Sequence, residues 1–274
     1  MARVDRRRRG EFAIIRRYFA PLAKDAPLAF DLTDDAAAIR PRAGHDLVVT
    51  TDAIAEGVHF LPNDPPEEIA RKLLRVSVSD LAAKGARPLA YTLTTAFRRD
   101  LPERWIAAFA RGLRTDQRRY GCTLIGGDTT AAPDALHLSA TLWGEVPRGR
   151  MVRRAGARPG DIVWVTGTIG DGALGLLAAT GRLPNLSPAD RRALAGRYRR
   201  PEPRLALGLR LRDFAHAALD VSDGLAADLG HLAAASGVRV RIEAAAVPLS
   251  GAARRVIGRE PKLFARALTG GDDY

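Results

Sequence analysis

Short β-branched runs alternate with long amphipathic stretches through the first half of this chain, and that alternation restricts the fold more than any other feature. His45–Thr51 (HDLVVTT) reads as a buried strand. Asp64-Pro65-Pro66-Glu67 then opens a helix: Asp64 can cap it, Pro65 suits its first turn, and Glu67 stands at the capping-box position. The helix runs to about Lys84 and stops at Gly85. Leu89–Phe97 reads as a second strand. Leu101–Tyr120 is a helix with Trp105, Phe109 and Leu113 four residues apart, and Cys122–Ile125 and Leu136–Val146 are further strands.

The polar, glycine-punctuated stretch Pro147–Pro159 breaks this pattern and marks a domain junction. Beyond it, Asp161–Thr166 (DIVWVT), Ala217–Val221 and Val238–Ile242 read as strands, Gly172–Thr180 and Gly224–Ser236 as helices, and Ser187-Pro188 as the start of another helix. The expectation is two α/β units, 11–148 and 149–274, behind a disordered basic tail at 1–10.

The 274 residues carry a net charge of +12, which raises the question of nucleic acid. All but four of the 43 Lys and Arg residues are arginine, the lysines being Lys24, Lys72, Lys84 and Lys262, and the arginines are spread over nearly every segment. A nucleic-acid binder concentrates such charge on one face, so no nucleic-acid partner is expected. No apolar run is long enough for a membrane span, no signal peptide precedes Glu11, and the single cysteine, Cys122, can form no internal disulfide. A cytoplasmic setting fits these features.

The chemistry lies in the aspartates. Asp34-Asp35 form a loop pair. Asp52 follows the first strand, and Asp128 follows a strand and two glycines in Ile125-Gly126-Gly127-Asp128-Thr129-Thr130. Asp220 and Asp223 bracket a strand end, and Asp272-Asp273 follow Gly270-Gly271. Ligands of α/β proteins gather at strand ends. Asp80 shares a helix face with Leu73 and Val76, where a carboxylate needs either a metal or a salt bridge, here to Lys84 or Arg87. Clustered carboxylates that must also admit phosphates call for a hard divalent cation, and magnesium meets that need. His59, shortly after Asp52, either reaches a ligand or is hydrogen-bonded locally. The other four histidines look structural or solvent-facing.

Gly170-Asp171-Gly172-Ala173-Leu174-Gly175 matches G-x-G-x-x-G, but the region about 20 residues on is a turn and helix start, so a dinucleotide fold is not expected. These glycines either admit a phosphate or make a tight turn. There is no P-loop, no G-x-S-x-G elbow and no protein-kinase signature. No general base is evident. A phosphate nucleophile needs none, because it is ionised at neutral pH.

Taken together, the Asp34-Asp35 loop, Thr50-Thr51-Asp52, His59-Phe60, Val78-Ser79-Asp80-Leu81-Ala82-Ala83, Ile125-Gly126-Gly127-Asp128-Thr129-Thr130, Val165-Thr166-Gly167-Thr168, Asp220-Val221-Ser222-Asp223-Gly224-Leu225 and Gly270-Gly271-Asp272-Asp273-Tyr274 resemble the thiamine-monophosphate kinases of the aminoimidazole ribonucleotide synthetase superfamily. The resemblance implies an α/β (α+β) two-domain fold, with an N-terminal mixed-sheet dimerisation domain and a C-terminal α/β domain. It also implies a homodimer, with ATP and thiamine monophosphate as substrates and direct in-line transfer without a phosphoenzyme. The positions that match the family's magnesium ligands are Asp35, Thr50, Thr51, Asp52, Asp80, Asp128, Asp220 and Asp223. Those that match ATP contacts are Gly127, Asp128, Arg154 and Ser222, and those that match substrate contacts are His59 and Asp272. Three departures stand out. Asp31 and Thr33 replace glycines before the Asp-Asp pair, Asp272 replaces a glutamate, and family members continue past Tyr274, so the C-terminal domain reads as incomplete. Two other functions remain open: a sibling ATP-dependent enzyme with another small substrate, or a non-catalytic nucleotide binder.

Overall fold

The computed structural model describes residues 10–274; apart from Gly10, the tail expected at 1–10 lies outside the described residues. The chain divides into two compact units. One runs to Ser77 and resumes over Pro88–Glu145; the other takes in Val78–Arg87 and Val146–Tyr274.

In the first unit, α1 (Glu11–Ile14), a π-turn (Ile15–Phe19) and α2 (Ala20–Ala23) lead into the sheet strands β1 (His45–Ala55), β2 (Arg87–Arg98), β3 (Thr123–Ala132) and β4 (His137–Pro147). Helix α3 (Pro66–Ala83) precedes β2, and α4 (Glu103–Tyr120) links β2 to β3, which run parallel as a βαβ connection requires. The sheet order is β1-β4-β2-β3.

The spacing-four stripe of α4 does what its periodicity predicts. Phe109 and Leu113 are fully buried, and Phe97, Trp105, Phe109 and Phe19 form one aromatic cluster with centroids 5.4–6.5 Å apart. Helices α3 and α4 touch closely at Gly112, where a Cβ would stand 2.4 Å from the Glu67 carbonyl oxygen. Between the same helices, Arg75, 2% exposed, gives its Nε proton to Asp116 Oδ2 at 2.5 Å, and Arg71 Nε reaches Asp116 Oδ1 at 3.2 Å.

Two strands of the first unit run further than the sequence predicts. Strand β1 continues through Asp52 to Ala55, and β3 continues through Gly126 and Gly127 to Ala132. A register shift makes the second extension possible: Tyr91 pairs with Leu124 but Thr92 with Gly126, leaving Ile125 as an extra residue. Past this bulge Gly127 faces Leu93 at φ 147°, and a Cβ there would lie 1.9 Å from the Leu93 carbonyl oxygen. Gly127→Ala is therefore expected to cost about 3 kcal/mol or more, from strained φ and backbone overlap together. A thermal melt checks this, and a melting temperature equal to wild type would contradict the described pairing.

The second unit holds α5 (Asp171–Ala179), α6 (Pro188–Arg199), α7 (Leu205–Leu211), α8 (Leu225–Ser236), α9 (Gly251–Arg259) and α10 (Leu263–Thr269). Ser187 caps α6, its Oγ accepting the Asp190 N–H at 3.0 Å as the sequence implied. Leu174, Leu194 and Val256 form one core cluster, while Ile169, Leu225, Leu229 and Val247 form another. The strands expected at 161–166, 217–221 and 238–242 carry no ladder among the described residues. Their β-branched composition supplies strand propensity, but a strand is stable only with a partner to satisfy its backbone groups. The three segments instead line a wide cavity of ≈ 1270 Å³, with Ile162 76% and Trp164 83% exposed.

Candidate active site

In the first unit, Asp35 is exposed, and its N–H donates to Asp34 Oδ1 at 2.7 Å. The chain enters this loop through Phe30, Asp31 and Leu32, all at positive φ (51°, 56° and 57°). A glycine would hold that left-handed geometry without strain; an L side chain costs roughly 1–2 kcal/mol per residue. Asp31 therefore occupies a position whose backbone suits glycine.

Thr50, Thr51 and Asp52 lie inside β1 rather than past its end. Alternation sends Thr50 and Asp52 to the side of buried Val48 and Ile54, and Thr51 to the outer side with exposed Leu47 and Val49. Consistently, Thr51 Oγ1 is hydrogen-bonded to Thr141 Oγ1. Only two of the three side chains can therefore face one ion. Asp128, on β3, is exposed and directly follows Gly127. Strands β1 and β3 are the two edges of the sheet, three strand spacings or roughly 14 Å apart along it.

His59 Nδ1 accepts the Ala55 N–H at 3.1 Å, so the neutral ring carries its proton on Nε2. The local hydrogen bond raised as one of its two readings is present. Lys72, 1% exposed, gives its Nζ proton to the His59 carbonyl at 2.7 Å and pins the loop.

In the second unit, Asp80 is half-buried one turn before Lys84. Lys84 Nζ donates to the Ala218 carbonyl at 2.8 Å. Burial chiefly lowers its pKa; Asp220 opposes this, nearby Arg154 adds to it, and Asp80 opposes it. Asp80, Asp220 and Arg154, three of the positions singled out in the sequence, thus all act electrostatically on one ammonium. Asp223, three residues past Asp220, is exposed, and its N–H donates to Asp228 Oδ2 at 3.0 Å. Burial holds the Asp228 carboxyl above its usual range.

Ser222, Asp272 and Asp273 meet through backbone. The Asp272 N–H donates to the Ser222 carbonyl at 3.0 Å, and the Tyr274 N–H to Val221 at 2.9 Å. Asp273, 3% exposed, accepts the Gly170 N–H at 2.6 Å on Oδ2 and the Gly172 N–H at 2.9 Å on Oδ1. Burial outweighs these two donors and pushes its pKa up to about 6. The glycine-rich turn thus cradles a carboxylate of the chain itself. Gly170 supplies the left-handed turn, Gly172 the close approach of the 271–272 backbone, and Gly175 close packing on Leu194.

Among the described residues no three His, Cys, Asp or Glu side chains are grouped so as to hold a metal. The donors are carboxylates and hydroxyls, the hard oxygen ligands that suit magnesium. Magnesium is commonly held by one or two carboxylates plus substrate phosphates rather than by a protein cage, and carboxylates such as Asp80 and Asp220 are of the type that suits that cation.

Sequence reasoning passed over Asp228 and the separate part of Asp273, and gave Lys84 only the part of a salt-bridge partner for Asp80. Asp228 had a legible signal: an acidic residue in the first turn of α8, placed to reach back to the entering chain. Asp273 had none, because an Asp-Asp pair does not show which carboxylate turns inward. No helix among the described residues is long and apolar enough to cross a membrane.

Residues 33–146 match the model of the AIR synthase related protein N-terminal domain, and residues 158–265 that of the corresponding C-terminal domain. The chain is 45% identical over 267 residues to thiamine-monophosphate kinase of Caulobacter vibrioides, covering 96% of this chain and 75% of that relative. The crystal structure of thiamine-monophosphate kinase from Stenotrophomonas maltophilia superposes with a TM-score of 0.86 at 46% identity, over 97% of this chain and 84% of that one. A second solved chain, complexed with AMPPCP and TMP, superposes with a TM-score of 0.79 at 35% identity, over 88% and 77% of the two chains.

Proposed function

Because this chain belongs to the thiamine-monophosphate kinase family of AIR synthase related proteins, we propose that it transfers the γ-phosphoryl group of ATP to thiamine monophosphate, yielding thiamine diphosphate and ADP. The observation that supports this most directly is the 45% identity to a thiamine-monophosphate kinase over 96% of the chain; the charges of Asp80, Asp220 and Arg154, all felt by Lys84, add a mixed-charge setting suited to a metal–polyphosphate.

A terminal phosphate oxygen of thiamine monophosphate attacks the γ-phosphorus as the bond to the β,γ-bridging oxygen breaks. The attacking oxygen is already anionic and the bridging oxygen leaves with the bonding pair as an anionic oxygen of ADP, so no proton has to be removed, and no residue is assigned as general base. The proposed magnesium ligands are Asp35, Thr50, Asp52, Asp80, Asp128, Asp220 and Asp223, with Thr51 contributing through its backbone. When bound, magnesium neutralises phosphate charge and aligns the two reacting groups. Gly127, Asp128, Arg154 and Ser222 are assigned to ATP. Gly127, lacking a Cβ, lets backbone approach closely, and Arg154 offers a planar donor fork to phosphate. His59 and Asp272 are assigned to thiamine monophosphate.

We assign the protein to the cytoplasm, with no nucleic-acid or membrane partner. A homodimer forms through the outer face of the sheet, where Leu47 and Val49 are 43% and 61% exposed. A substrate panel tests the reaction: ADP release with magnesium should be stimulated by thiamine monophosphate. Stimulation by an aminoimidazole precursor instead would transfer the assignment to a sibling enzyme.

A further inference from the structure

We infer that Asp273 is a positioning residue: its buried carboxylate, seated on the first turn of α5, holds Asp272 in the left-handed conformation and, through Asp272, fixes the Ser222–Asp223 loop. The inference rests on the kinase reading, which places Asp272 at the substrate and Ser222 at ATP.

Asp272 has φ 71°, a region an L residue keeps only where its surroundings over-determine it. Here they do. On one side its N–H is spent on the Ser222 carbonyl at 3.0 Å. On the other, the next residue is held at three points: two backbone N–H groups on the Asp273 carboxylate, and Arg197 Nη2 on the Asp273 carbonyl at 3.2 Å. The glycines are shaped to the same register. A Cβ on Gly271 would lie 2.1 Å from the Ser222 oxygen, and one on Gly172 2.4 Å from the Asp272 oxygen. A carboxylate suits this seat twice over, since it offers an acceptor to each of two diverging N–H groups and carries negative charge to a helix N-terminus. A carboxamide cannot do the same: its NH2 would face one of those donors.

The test is Asp273→Asn, read by steady-state kinetics and amide hydrogen exchange at a temperature where the variant is folded. The KM for thiamine monophosphate should rise about tenfold, the KM for ATP should rise less, by about threefold, because Ser222 is reached only through Asp272, and exchange of the Asp272 and Tyr274 amides should quicken about tenfold or more. A purely structural role would lower the melting temperature without separating the two KM values. Arg197→Lys keeps the charge but shortens the reach to the Asp273 carbonyl, and it should shift the same KM and the same amides in the same direction, more weakly. It decides the question if Asp273→Asn does not fold. Unchanged KM values and exchange rates in the folded variant would overturn the inference. A wild-type protein inactive on thiamine monophosphate would sink the kinase reading instead, and the exchange rates would still decide whether Asp273 holds the loop.

Discussion

Asp223→Asn should lower kcat more than about a hundredfold while the protein melts close to wild type. Losing about 3 kcal/mol of metal-borne transition-state stabilisation corresponds to that factor. The structure separates the two effects. The Asp223 side chain is exposed, so its replacement leaves no cavity, and the local hydrogen bond to Asp228 is made by the Asp223 backbone N–H, which asparagine keeps. Asp128→Asn should behave alike, since Asp128 is exposed on β3 and the bulge beside it depends on glycine rather than on the carboxylate. Steady-state kinetics with a parallel melt checks both variants. A kcat within about threefold of wild type, less than about 1 kcal/mol of effect, would remove either residue from the site.

The largest effect on stability is expected from Asp116→Ala. Its carboxylate is wholly buried and serves Arg75, itself 2% exposed, as well as Arg71. Removing one partner of a buried pair strands the other charge, at about 3–5 kcal/mol. For a chain of this size that lowers the melting temperature on the order of 10 °C. Replacing both residues by apolar side chains of matching volume should recover much of the loss, because the penalty lies in the stranded charge rather than in the absence of an attraction. A fall of only one or two degrees for Asp116→Ala would show that Arg75 finds water or another partner.

Where periodicity was strong, the sequence foretold the structure closely. The α4 stripe of Trp105, Phe109 and Leu113 and the Ser187 cap of α6 were both legible, because each depends on residues within one or two turns. Strand ends were not. The third strand was expected to end at Ile125, whereas β3 passes through Gly126 and Gly127 by a bulge that depends on where β2 lies. The run Asp161–Thr166 has the composition of a strand, but pairing is set by distant segments that local composition does not specify.

Site residues show the same boundary. The acidic positions were legible as types, since carboxylates among glycines and strand ends announce ligand chemistry. Their faces were not: Thr51 turns outward while Thr50 and Asp52 turn inward, a distinction fixed by register. The glycine turn at 170–172 was readable as an anion seat, and it holds an anion, but that anion is Asp273. Backbone N–H groups do not distinguish carboxylate from phosphate, so neither the phosphate seat nor the plain tight turn read from the motif foretold a carboxylate of the chain itself.

The most direct measurement is to incubate the protein with magnesium, thiamine monophosphate and ATP labelled in its γ-phosphate, and to follow where the label goes. Direct transfer predicts label in the terminal phosphate of thiamine diphosphate, one equivalent for each ADP formed, with none retained on the protein. Label that appears as free phosphate without thiamine diphosphate, or that stays covalently on the chain, would contradict the account.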